Sequence, residues 1–223
     1  MTEQNQQLVW DVPTRLFHWL LVGLLCFSWW SAETDHMEWH QYSGIAICGL
    51  VTFRLLWGVV GTSTARFARF VKGPRAVWAY VHSKDASSEK TPGHSPLGGW
   101  SVIALLLMVC TQFISGLFAV DVDGIESGPL SYLIDFDQGR AAARVHGAAF
   151  NVLLALVAVH IAAILFYYFV KRRNLTKAMI TGFQPAVQSI DFTAATLVSR
   201  WRLVAAVVVS ALLAYSVANG FRF

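Results

Sequence analysis

Five long apolar stretches, at residues 16–32, 39–61, 97–120, 141–170 and 201–218, dominate this chain of 223 residues. Crossing the hydrocarbon core of a bilayer takes about 20 apolar helical residues. The first four blocks meet that length, and the fifth, rich in Ala and Val, is slightly short. One such block would fit a buried soluble core, but five cannot be absorbed by it. Only 13% of residues are charged and 56% are hydrophobic, whereas soluble domains carry about 25% charged residues. Lipid offers no partners to backbone N–H and C=O groups, and a helix satisfies its own. The expected fold class is therefore an all-α integral membrane protein.

Lys and Arg set the expected topology. With the N-terminus in the cytoplasm, thirteen basic residues fall inside: Arg15, Arg66, Arg69, Lys72, Arg75, Lys84, Lys90, Lys171, Arg172, Arg173, Lys177, Arg200 and Arg202. Three, Arg140, Arg144 and Arg222, fall outside, and Arg54 lies within a span. The acids Glu33, Asp35, Glu38, Asp121, Asp123, Glu126, Asp135 and Asp137 are all external. Five spans then put the C-terminus outside. The basic balance reads as a cytoplasmic rim and not as a nucleic-acid surface. Residues 1–10 carry no positive charge, and no small-residue cleavage site cleanly follows the first span. That span is expected to be retained and not removed as a signal peptide.

The short external turn at 33–38 makes the first two spans antiparallel neighbours. Residues 62–96 form the main cytoplasmic loop. Its first half, 65–82, mixes Arg and Lys with Phe67, Phe70, Val71, Val77, Trp78 and Tyr80. This suits either a helix lying on the inner membrane surface or a compact loop packed under the bundle. Residues 83–96 read as loop, and 174–199 as a cytoplasmic linker. Cys26, Cys48 and Cys110 fall in three different spans without a CxxCH or CxxC pattern. Covalent haem attachment and a disulfide framework are not expected.

Four histidines carry the chemistry. His146 and His160 stand fourteen residues apart in the fourth block, a rise of about 21 Å and nearly four full turns. Both rings therefore lie on one helix face, near opposite sides of the membrane. His18 is one turn into the first span, and His40 starts the second. Depth pairs His18 with His160 on the cytoplasmic side and His40 with His146 on the external side. A lone membrane histidine is more often a satisfied core residue, but ligating residues inside spans are costly and mark function. Each pair joins two helices at one depth, as axial ligands on opposite faces of a porphyrin must. Structural zinc gathers four ligands at one point, often with thiolates, so two separated pairs favour two haems. Bis-imidazole iron leaves no open position and suits electron transfer. Gly44, Gly147, Ala148, Ala149, Ala162 and Ala163 flank the ligands and give a flat macrocycle room, although ordinary close helix packing also uses small residues.

Arg54, fourteen residues after His40, shares its helix face and lies at the depth of the inner pair. An Arg there costs about 2.5–3.5 kcal/mol on the insertion scale, so it should have an anionic partner, for which haem propionates and a quinone site are candidates. Arg15 and Arg144, close to His18 and His146, could serve propionates or merely snorkel. His36 and His40 are spaced i, i+4 but lack the HExxH order of a metalloprotease. His36, His82 and His94 read as exposed loop residues.

These residues resemble the bacterial cytochrome b561 and nickel-hydrogenase b-type cytochrome family. The run Val9-Trp10-Asp11-Val12-Pro13-Thr14-Arg15-Leu16-Phe17-His18-Trp19 looks like its opening signature. His40 with Gly44, then Arg54-Leu55-Leu56-Trp57-Gly58, looks like its second helix. Gly73-Pro74 and Gly93-His94-Ser95-Pro96-Leu97-Gly98-Gly99-Trp100 resemble a subgroup with a longer cytoplasmic loop, and His146 with His160 its fourth-helix pair. The resemblance covers roughly residues 8–173. It implies a four-helix transmembrane dihaem bundle holding two haem b groups through the four histidines, with a fifth C-terminal helix outside the minimal pattern. Residues 1–173 then form the cytochrome domain, and 174–223 the linker and extra helix. It also implies electron exchange between membrane quinone and an external partner, a c-type cytochrome or a hydrogenase-like subunit, in the bacterial inner membrane. Besides lipid, quinone and that partner, a second copy of the chain is compatible with this reading. A stand-alone superoxide:quinone oxidoreductase is the alternative, although the acidic external surface weighs mildly against it. A haem or metal transporter, or a membrane anchor, is the non-redox alternative, which stable bis-His ligation disfavours.

Overall fold

The computed structural model describes residues 6–82, 93, 95–185 and 200–221. Among the described residues there are eight α-helices: α1 (Val12–Glu33), α2 (Met37–Val60), α3 (Phe67–Phe70), α4 (Pro74–His82), α5 (Pro96–Phe118), α6 (Phe136–Phe169), α7 (Leu175–Thr181) and α8 (Arg200–Ala218). Strands β1 (Gln6–Leu8) and β2 (Phe183–Pro185) pair antiparallel, with Gln7 opposite Gln184. Five helices, α1, α2, α5, α6 and α8, are long and apolar enough to cross a membrane. They coincide with the five apolar blocks, and the all-α membrane architecture is as expected.

Local chemistry sets the helix starts. Asp11 caps α1 by accepting the Thr14 N–H at 2.8 Å, and Ser95 caps α5 through the Gly98 N–H at 3.1 Å. Each is followed by proline in the first helical turn, where the missing N–H is not needed. Asp135 and Gln138 form a capping box at the start of α6, two orphan helix-end groups satisfied reciprocally. That cap starts α6 five residues before its apolar block, and its 34 residues rise about 51 Å. It therefore outruns the roughly 30 Å hydrocarbon core.

Helix α2 is the most enclosed span and packs against α1, α5 and α8, while α5 packs against α6. The central layer is Ile47, Val51, Val109 and Leu153, with Leu21, Leu24, Leu25, Met108, Phe113 and Val157 against it. Large apolar side chains such as Val159 and Leu212 are exposed on the outside of the bundle, as a lipid-facing surface requires.

The loop after α2 differs from a single amphipathic helix over 65–82. It forms α3 and α4, separated at residues 71–73. Gly73-Pro74 explains the break: proline disfavours helical backbone in the residue before it but opens a new helix well. Phe70 is buried under the bundle, while Trp78 on α4 is exposed, so each half follows one of the two readings. Tyr80 and Tyr167 hydroxyls at 2.8 Å tie α4 to the end of α6. Part of the expected linker is also built. Helix α7, capped by Asn174 and closed by Gly182 at φ 90°, packs Ala178 against Val9 and Trp10. The Gly182 carbonyl accepts both the Val9 and Trp10 N–H groups.

Helix α8 packs on the outer side of α2 through small residues. A Cβ on Gly49 would stand 3.0 Å from the Ala214 Cβ, and Ala206, Ser210 and Val217 are buried. Its C-terminal end meets the α5–α6 connection, where the Tyr132 hydroxyl donates to the Gly220 carbonyl. Strand β1 and the described residues after α8 therefore lie at opposite ends of the bundle.

Candidate functional site

His40, one turn into α2, and His146 on α6 face each other with ring centroids 5.9 Å apart and planes at 85°. Each ring is held by its Nδ1. His40 Nδ1 is 2.9 Å from the Ser28 carbonyl and 3.2 Å from the Ser28 hydroxyl. His146 Nδ1 is 2.8 Å from the Gln112 carbonyl. A carbonyl only accepts, so in the neutral ring Nδ1 carries the hydrogen and Nε2 keeps the lone pair. This is the orientation that metal-ligating histidines receive from their supporting partners. The Gln112 side-chain amide donates to His146 Nε2 at 3.0 Å. Gly116 on α5 makes room for the ring: a Cβ there would stand 2.9 Å from His146 Cε1.

His18 on α1 and His160 on α6 form the second pair, with the field of His160 reaching His18. His18 Nδ1 is buried without a hydrogen-bond partner, and Trp19 meets its ring edge-on at 4.9 Å. On α6 the inward stripe runs from His146 through Ala149, Leu153 and Val157 to His160. The apolar central layer therefore lies between the two pairs.

The donor set fits b-type haem. Metal–imidazole bonds are about 2.0–2.1 Å, and two of them in line place ring centroids about 6 Å apart, close to the spacing of His40 and His146. Two buried polar atoms left without partners, His18 Nδ1 and Gln112 Oε1, lie at the two pairs. Among the described residues, no three ligating side chains gather at one point.

A family model for prokaryotic cytochrome b561 matches residues 9–182. The chain belongs to that family. Comparison with curated proteins and with solved structures found no match. Membership makes it a multi-pass b-type haem electron-transfer protein of a prokaryotic membrane. The match ends as α7 ends, so α8 is additional to the family pattern.

Of the three arginines singled out in this cytochrome b561, Arg54 and Arg15 hold partners on the chain. Arg54 is 3% exposed; its Nη1 donates to the Ala65 carbonyl at 3.2 Å. Its guanidinium lies 4.7 Å from the Phe67 ring centroid and 6.0 Å from that of Phe17, beside His18. The carboxylate whose field it feels is Asp11. Asp11 in turn accepts from Trp57 Nε1 at 2.9 Å and from the Thr62 hydroxyl at 2.7 Å. Arg15 donates to the Ile180 carbonyl, and Arg144 is exposed on α6. Neither makes a hydrogen bond to the four histidines.

His36 stacks on Trp30 at 5.7 Å and meets the Thr34 hydroxyl at 3.0 Å, apart from His40. His82 donates to the Trp78 carbonyl at 2.9 Å and is exposed, and His94 lies outside the described residues. The three cysteines are free. A Cβ on Gly44 would meet nothing within 4 Å, whereas Gly147 is exposed and Ala149 buried. Sequence reasoning missed Asp11, Ser28, Gln112 and Gly116 as site residues. Asp11 carried a helix-start signal before Pro13, and Gln112 stood out as an amide inside a span; Ser28 and Gly116 gave no such sign.

An apolar cavity of about 560 Å³ opens beside α3, between α2 and α5. Its lining includes Leu55 of α2, Phe67 and Val71 at α3, and Trp100, Ile103 and Leu107 of α5.

Proposed function

We propose that this cytochrome carries electrons across the membrane through two b-type haems, one held by His40 and His146 and the other by His18 and His160. It exchanges them with membrane quinone at one end and an external redox partner at the other. The observation that carries the reading is the His40–His146 pair: two rings from different helices at 5.9 Å, each with Nδ1 against a backbone carbonyl, which leaves the lone pair on Nε2 for a ligand. Haem held by these histidines would supply a one-electron iron couple. The chain does the rest. Ser28 and Gln112 fix the ring orientations, α6 spaces the pairs by about 21 Å, and the central apolar layer keeps water from the path between them.

The excess of Lys and Arg around α3, α4 and α7 supports a cytoplasmic N-terminus and an external C-terminus. The apolar cavity beside Phe67 is within the roughly 300–1,000 Å³ of small-molecule sites. Open to lipid and walled by apolar side chains, it supports quinone entry near the His18–His160 pair. Arg54, Arg15 and Arg144 are proposed as cations near the propionates, Arg54 acting through its field across Phe17.

Haem stoichiometry and reducibility test this function. Purified protein is expected to hold two haems per chain and to shift its visible bands reversibly with dithionite. His160→Leu is expected to halve the haem content. A wild-type chain without porphyrin, or bands indifferent to dithionite, would overturn the reading, and an undiminished haem content in the variant would overturn the ligand assignment.

A further inference from the structure

The two histidine pairs are not built alike. In the pair near the α5–α6 connection, both rings lean on carbonyls: His40 Nδ1 on Ser28 O at 2.9 Å and His146 Nδ1 on Gln112 O at 2.8 Å. In the other pair, neither ring makes a hydrogen bond among the described residues, and His18 Nδ1 is buried with nothing to donate to. An imidazole that donates its Nδ1–H to a carbonyl becomes a more basic ligand through Nε2. A more basic axial ligand favours ferric over ferrous iron and lowers the reduction potential. Fixed charge acts in the same direction. Buried Arg54 lies against Phe17, the neighbour of His18, and a nearby cation favours the reduced state of the His18–His160 site. Asp11 offsets part of that field but is itself spread over three donors, from Thr14, Trp57 and Thr62.

We propose that the Ser28 and Gln112 carbonyls make His40 and His146 the stronger ligands, so that their site has the lower reduction potential and electrons run downhill toward the His18–His160 site. The step is a single electron leaving the reduced iron of the first site for the oxidised iron of the second, with no bond made or broken. On the proposed topology this is inward flow, from an external one-electron donor toward quinone beside Phe67. The inference rests on the two-haem reading. Ser28 acts here as a positioning residue through its carbonyl, and Ser31 modulates it: the Ser31 hydroxyl donates to the same Ser28 carbonyl at 2.9 Å, competing with His40.

The test is a spectroscopic redox titration of the purified holoprotein and of His160→Leu, His146→Leu and Ser31→Ala. The wild type is expected to show two midpoints. The lower should persist in His160→Leu and the higher in His146→Leu. Ser31→Ala frees the Ser28 carbonyl for His40 and is expected to shift only the lower midpoint, further down. Coincident midpoints, or the reverse assignment, would overturn the inference while leaving two haems in place. If neither histidine variant folds, Ser31→Ala decides alone: an unmoved lower midpoint, or a moved upper one, sinks it. A wild-type preparation without two haems instead removes the functional reading beneath it.

Discussion

Among single residues, glycine 116 is the sharpest probe of the His40–His146 site. A methyl there would stand 2.9 Å from His146 Cε1, inside contact distance, so the ring must move. Gly116→Ala is expected to lower the haem-to-protein ratio toward one. Gly147→Ala, on the other side of α6 with nothing within 4 Å, should leave that ratio unchanged and stabilise the helix by up to about 1 kcal/mol. Equal haem content in both variants would contradict the placement of His146. Arg54→Gln removes a buried cation beside Phe17. It is expected to lower the midpoint of the His18–His160 site more than that of its companion, read by redox titration; equal shifts would separate Arg54 from that site. The histidines and Arg54 are legible in the sequence because a ligating or charged side chain in an apolar span stands out. The hydrogen bonds that orient His40 and His146 are not legible, because Ser28 and Gln112 act through backbone carbonyls, which every residue possesses. Only the fold decides which carbonyl faces a ring.

The five spans follow from block length, and the starts of α1, α5 and α6 are set by the caps Asp11, Ser95 and Asp135. The loop after α2 is harder to read, since a basic and aromatic run over 65–82 satisfies both a surface helix and a packed turn. What decides it is a long-range fit. Phe67 occupies the space that a side chain at Gly58 would need, and Phe70 packs where Gly99 leaves α5 bare. Gly58→Ala is accordingly expected to unseat α3 and destabilise the protein by about 1–3 kcal/mol, as overpacking does. A lowered thermal midpoint with retained haem would show it, and an unchanged midpoint would mean that Phe67 packs elsewhere. The built part of 174–185 was hidden for a related reason. Strand β2 and α7 are short and find their partners only in the N-terminal segment.

Across the whole molecule, the family pattern covers four spans, three of which carry the histidine pairs, and α8 is applied to the outside of α2. Its seam of Gly49, Ser210 and Ala214 relies on close van der Waals approach, as helix pairs in lipid do. A chain ending at residue 185 is expected to keep two haems and its redox response while unfolding at lower temperature. Loss of one haem on truncation would instead make α8 part of the haem-binding unit. The antiparallel pairing of β1 with β2, reinforced by Arg15 on Ile180 and Trp19 on Met179 at 3.3 Å, fastens the residues before the first span to those after the fourth. A segment synthesised ahead of the first span thus waits for one synthesised some 175 residues later, and such long-range closure comes late in folding. The clasp therefore works as a completion mark: β1 finds its mate only once every ligand-bearing span has been delivered to the bilayer.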